Sequence, residues 1–100
     1  MMAAKIQVEA GLIERFCQKH HIRKLAFFGS ALRDDFRPDS DVDVLVEFEP
    51  GKAPGLAFFS MERELSRIIG RKVDFHTPGF LSRHFRDDVI KQAEVWYDAA

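Results

Sequence analysis

Hydrophobic and polar residues follow two different periods along this chain. From Gln7 to His20, the apolar positions Ala10, Ile13, Phe16 and Cys17, with Ile6 just outside, recur at spacings of three and four, which predicts an amphipathic helix. Lys19 to Lys24 then reads as a basic connector, with His20 and His21 solvated. Leu25-Ala26-Phe27-Phe28 is a continuous apolar run and predicts a short buried strand, broken by Gly29-Ser30. After a polar turn punctuated by Pro38, Ser40 to Phe48 reads as a second strand, with Val42, Val44, Val46 and Phe48 at every other position. Side chains alternate faces along a strand, so Val42, Val44, Val46 and Phe48 share one face and Asp41 and Asp43 the other.

The second half repeats this grammar. Pro50, Gly51, Pro54 and Gly55 enforce a loop, and Leu56 to Ile69 carries Phe58, Met61, Leu65 and Ile68 at helical spacing, closed by Gly70 in the C-cap position. Arg71 to Pro78 predicts a short strand with Val73 and Phe75 on one face and Asp74 on the other. An acidic residue flanked by apolar ones in a central strand is costly unless something pairs with it. If this strand lies beside the one bearing Asp41 and Asp43, Asp74 joins the same acidic face. Thr77-Pro78 fits an N-cap followed by proline at the first helical position. Phe80 to Ala99 is predicted helical, with Leu81, Phe85, Val89, Ala93 and Trp96 as its stripe, widened by Ile90 and Tyr97.

Two like charges held two residues apart resist ionising together unless a cation sits between them. Hard divalent cations take carboxylate oxygens, and Mg²⁺ commonly shares one or two carboxylates with substrate phosphates. Asp41-Val42-Asp43 is therefore a candidate metal seat, although an edge strand with one solvated face has the same pattern. Gly29-Ser30 adds a turn whose backbone N–H groups and hydroxyl suit phosphate, with an ordinary N-capped turn as the alternative. Asp34, Asp35 and Asp39 lie in the loop, where capping and solubility suffice to explain them. His76 and His84 fall near this region, but no spacing singles them out.

Composition narrows the classes. The 100 residues are enough for a single domain with one modest core, and 46% apolar content with ten phenylalanines excludes a disordered chain. No apolar run approaches the roughly 18 residues of a membrane span, and the N-terminus has no signal-peptide core. Cys17 is the only cysteine, so an internal disulfide is impossible and a cytoplasmic, reducing location is expected. Fifteen basic and sixteen acidic residues leave no excess positive charge for tracking a long nucleic acid. The absence of G-x-x-x-x-G-K-[ST] excludes a P-loop mechanism.

Taken in order, Gly29-Ser30, Arg33 and Ser40-Asp41-Val42-Asp43 resemble the signature of the DNA polymerase β-like nucleotidyltransferase superfamily. The resemblance runs from about Leu25 to Tyr97 and is strongest to the minimal nucleotidyltransferases, small domains that prokaryotes often encode beside a HEPN-domain protein. In one position the chain departs from the pattern: Asp34 stands where a glycine commonly follows the arginine. The resemblance implies an α/β (α+β) fold, a small mixed sheet flanked by helices. It implies Asp41, Asp43 and Asp74 as catalytic, metal-holding carboxylates, with Gly29, Ser30 and Arg33 binding the nucleotide phosphates. Such enzymes use two divalent ions about 3.5–4 Å apart to clamp an in-line displacement at phosphorus. Mg²⁺ is the expected ion, with Mn²⁺ as the alternative, and ATP the nucleotide donor.

With no second domain to recognise an acceptor, the resemblance implies a partner that presents one. By the same resemblance that partner would be a HEPN toxin receiving AMP on a hydroxyl, with this protein as its antitoxin in a hetero-oligomer. Two alternatives stand beside it. One is a binding module that neutralises its partner by masking, its metal site idle. The other is a small-molecule nucleotidyltransferase of the antibiotic-modifying kind.

Overall fold

The alternation of Val42, Val44 and Val46 sets the architecture. All three are fully buried beneath helices, on the second of four strands in one sheet. The structure, a computed structural model, describes residues 8–29, 41–78 and 83–99. In chain order the elements are α1 (Ala10–Lys19), β1 (Ile22–Phe28), β2 (Val42–Phe48), α2 (Ala57–Ile69), β3 (Val73–His76), α3 (Arg83–Gln92) and β4 (Glu94–Asp98). The sheet order is β3-β2-β1-β4; β2 and β3 run parallel and the other pairs antiparallel. This is the mixed sheet flanked by helices that the sequence predicts.

Each sheet face has its own apolar cluster. On one, Ile13, Phe16 and Cys17 of α1 and Met61 and Leu65 of α2 pack on Leu25, Phe27, Val42, Val44, Val46, Val73 and Phe75. Each such side chain contributes about 1.5–3 kcal/mol on full burial, so this face carries most of the hydrophobic stabilisation. Burial pushes the Cys17 thiol up to about 12, consistent with a core hydrophobe rather than a reactive group. On the other face, Val89 of α3 meets Ala26, Phe28 and Leu45 in a smaller cluster. That smaller cluster leaves part of the second face to polar chemistry.

Four expectations need correction. The C-terminal segment is not one helix to Ala99: α3 ends at Gln92, and Glu94–Asp98 forms β4 against β1, pairing Leu25 with Tyr97 and Ala26 with Val95. Val95-Trp96-Tyr97 is β-branched and aromatic, and the Trp96 ring meets Phe27 edge-on with centroids 4.8 Å apart. Strand pairing and this ring contact replace the helical stripe assigned to Trp96 and Tyr97; Leu81 lies outside the described residues. The basic connector is shorter than expected, because β1 already begins at Ile22. Third, β3 lies at the edge of the described sheet rather than at its centre. Its outward amides are covered from α2, where Ser66 Oγ accepts from Val73 N at 2.9 Å and Glu62 Oε2 from Phe75 N at 2.7 Å. These two bonds pin the strand that carries Asp74.

His20 is likewise not solvated. It is half-buried, stacks on Phe16 and donates from Nε2 to Glu64 Oε1 at 3.0 Å, while Lys19 Nζ donates to Glu64 Oε2 at 3.2 Å. His21, by contrast, is exposed as expected. Burial alone would raise the Glu64 pKa, but the hydrogen bonds and charges of His20 and Lys19 outweigh it and hold the carboxyl below its ordinary 4.5. A depressed folded pKa stabilises the fold fully above about 4.5, and that contribution is lost as pH falls through the lowered value. Denaturant melts at neutral and acid pH should therefore show Glu64→Gln less stable at neutral pH. The gap to wild type should close below pH 4.5, and a pH-independent gap would refute the link.

Candidate active site

The register places the acidic residues. Antiparallel pairing sets Phe28 opposite Asp43, and parallel pairing sets Asp43 opposite Asp74, so the three form one row across β1, β2 and β3. The neighbouring row, Phe27, Val44 and Phe75, points into the main core. Asp43 and Asp74 are thereby held on the opposite face, adjacent and half-buried. Asp41 lies just before β2, more exposed, with Lys72 Nζ 3.7 Å from its Oδ2. The next row on the acidic face, Ala26, Leu45 and His76, brings in an imidazole.

Gly29 closes the row at the end of β1. Its φ of +67° lies in the left-handed region, and a Cβ there would stand 2.5 Å from Asp43 Oδ2. The Asp43 carboxylate therefore rests against the glycine backbone, in the turn expected to hold phosphate. Burial is the largest influence on Asp43 and raises its pKa above the ordinary 3.8; the charges of Asp74 and Asp41 push the same way, opposed by His76. Carboxylates crowded until ionisation is disfavoured are a donor set suited to a hard divalent cation. Among the described residues no three His, Cys, Asp or Glu groups close into a ready-made cage.

Four of the six residues singled out in the sequence, Gly29, Asp41, Asp43 and Asp74, are gathered at this end of the sheet. Ser30, Arg33 and the His84 side chain lie outside the described residues. The residue the sequence did not single out is His76, whose Nε2 is 3.3 Å from Asp43 Oδ1. Its only signal was a period-2 position on the same strand face as Asp74. A groove of about 880 Å³ opens elsewhere, between the end of β2, the following loop and α2, and none of the three carboxylates lines it. Phe59 and Leu56 beside it are exposed, whereas Phe58 packs against the main core. No helix among the described residues is long and apolar enough to cross a membrane.

Comparison with known proteins identifies the family. Residues 10–97 match the nucleotidyltransferase domain family. Protein adenylyltransferase MntA of Thermococcus cleftensis is 32% identical over 76 residues, covering 75% of each chain. A candidate protein adenylyltransferase of Methanocaldococcus jannaschii is 32% identical over 75 residues, covering 75% of this chain and 80% of that one. The solved structure of a candidate minimal nucleotidyltransferase superposes with a TM-score of 0.71 at 30% identity, covering 84% of this chain and 85% of that one. A chain from a toxin–antitoxin crystal structure with AMP-PNP has a TM-score of 0.74 at 16% identity, covering 91% of this chain and 74% of its own, a likeness of fold. The chain belongs to the nucleotidyltransferase domain family, as a minimal nucleotidyltransferase of the polymerase β-like superfamily.

Proposed function

We propose that this protein is a metal-dependent protein adenylyltransferase that moves AMP from ATP onto a hydroxyl of a HEPN-domain toxin and so acts as its antitoxin. The observation that carries the reading is the row formed by Asp43 and Asp74 beside the left-handed Gly29. Relatives about a third identical bear the name protein adenylyltransferase, and chains of the same fold occur in MntA–HepT toxin–antitoxin crystals. Asp41, Asp43 and Asp74 would hold two divalent ions, Mg²⁺ or alternatively Mn²⁺. Those ions, when bound, supply charge neutralisation for an in-line displacement at phosphorus.

The chain's own residues would do the remainder. The Gly29 backbone, with Ser30 and Arg33, would cradle the β and γ phosphates and fix the α-phosphorus. Asp74 would face the acceptor hydroxyl and take its proton as the acceptor oxygen bonds to the α-phosphorus and the bond to pyrophosphate breaks.

The test is incubation with α-labelled ATP, Mg²⁺ and the product of the neighbouring gene. Label on the partner, lost with Asp41→Asn, is the expected result. A stable complex that silences the partner without label, and that Asp41→Asn leaves intact, would replace this reading with a masking module.

A further inference from the structure

The acidic face carries an imidazole for which nucleotidyl transfer by three carboxylates has no stated use. His76 lies two residues beyond Asp74 on the same face of β3, opposite Leu45 in the parallel register. Its Nε2 reaches diagonally to Asp43 Oδ1 at 3.3 Å. The ring is itself held, because Phe28 meets it edge-on with centroids 5.2 Å apart, and Phe28 is buried in the smaller cluster. The other carboxylate oxygen, Oδ2, lies against the Gly29 backbone. The two oxygens of Asp43 therefore have different neighbours, one the imidazole nitrogen of His76 and one the Gly29 turn.

We propose that His76 is a positioning residue for Asp43. Its Nε2–H takes Oδ1, fixing the rotation of the carboxylate so that Oδ2 stays aimed along Gly29 into the site. A carboxylate free to rotate about its last torsion must be ordered when a cation binds; one already held by a neighbouring donor has lost that freedom beforehand. Phe28 extends the support one step further by fixing the plane of the imidazole. An imidazole is also a poor direct ligand for a hard ion such as Mg²⁺, which favours the outer role over coordination. This inference rests on the reading that Asp43 binds a divalent ion.

Two measurements on the intact protein test it, with His76→Phe preserving the ring packing and His76→Gln preserving an N–H donor at the same reach. In metal-free protein at alkaline pH, nitrogen NMR should show His76 locked as the Nε2–H tautomer. Asp43→Ala should release it to a mixture. In Mn²⁺ titrations, His76→Phe should weaken binding by about 10–100-fold, the range for lost outer partners of metal ligands, while His76→Gln stays within a few-fold of wild type. Equal affinity of His76→Phe and wild type overturns the proposal, and so does equal loss in both variants. Thermal melts without metal confirm that each variant folds. If wild type itself binds no Mn²⁺, the metal reading falls instead. The tautomer then decides alone: locked, it sustains the hold of His76 on Asp43; mixed, it overturns it.

Discussion

Asp43→Asn should cut AMP transfer on the order of a thousandfold yet leave the metal-free protein at least as stable as wild type at neutral pH. Burial, then the neighbouring Asp74 and Asp41, raise the Asp43 pKa above 3.8 in the folded chain, and His76 offsets only part of this. The folded state thus holds the Asp43 proton more tightly than the unfolded state does. The corresponding stability is full below about pH 3.8 and is lost as pH rises through the raised value. At neutral pH the ionised carboxylate is a net cost, which an amide of the same shape removes. A divalent ion between the carboxylates reverses that sign. Wild type should therefore melt later with Mg²⁺, a gain of about 2.7 kcal/mol when the ion is at a hundred times its Kd. Asp43→Asn should start level or higher and gain nothing. Losing a metal-holding oxygen removes several kcal/mol of charge stabilisation, so transfer should fall on the order of a thousandfold. A variant that melts earlier without metal, or keeps the Mg²⁺ shift, would count against Asp43 as a crowded metal-holding carboxylate.

What was legible in the sequence had a local cause. Val42, Val44 and Val46 must all turn to one face of β2, so Asp43 must turn to the other. The same alternation in Val73, Asp74 and Phe75 places Asp74, and only the pairing of β2 with β3 had to be supplied from outside. The apolar stripe of α2 and Gly70 at its end were equally local, and the helix runs Ala57–Ile69 as the periodicity demands.

What was missed depends on contacts between distant parts of the chain. Val89, Ala93 and Tyr97 are four apart and satisfy a helical stripe as well as they satisfy a helix followed by a strand. No glycine or proline near Gln92 marks the stop. The docking of Val95 and Tyr97 onto Ala26 and Leu25 decides the matter, some 70 residues away in sequence. The bond of His76 to Asp43 spans 33 residues, and the edge of β3 is closed by Glu62 and Ser66, polar residues on a helix that local patterning assigns to solvent. Periodicity reports which face a side chain takes; it is silent on what waits there.

Gly29→Ala separates the turn as a catalytic device from the turn as a chain reversal. Two penalties coincide at this position. A residue with a Cβ at φ +67° pays about 1–2 kcal/mol for the left-handed conformation. The added Cβ would also stand 2.5 Å from Asp43 Oδ2, well inside contact distance. Either the carboxylate rotates away, breaking the His76 bond, or the backbone retreats and carries with it the turn proposed to hold phosphate. Gly51 supplies the control, since its φ is +77° but nothing lies within 4 Å of the position a Cβ would take. In denaturant melts Gly51→Ala should lose the left-handed strain alone, and Gly29→Ala at least as much. Gly51→Ala should retain AMP transfer, whereas Gly29→Ala should lose on the order of a hundredfold, the effect of misplacing a reacting group by about an ångström. Equal activity of the two variants would reduce Gly29 to an ordinary turn glycine. Because left-handed strain is common to both variants, an activity loss confined to Gly29→Ala traces to the crowding at Gly29, whether the Asp43 carboxylate or the turn itself gives way.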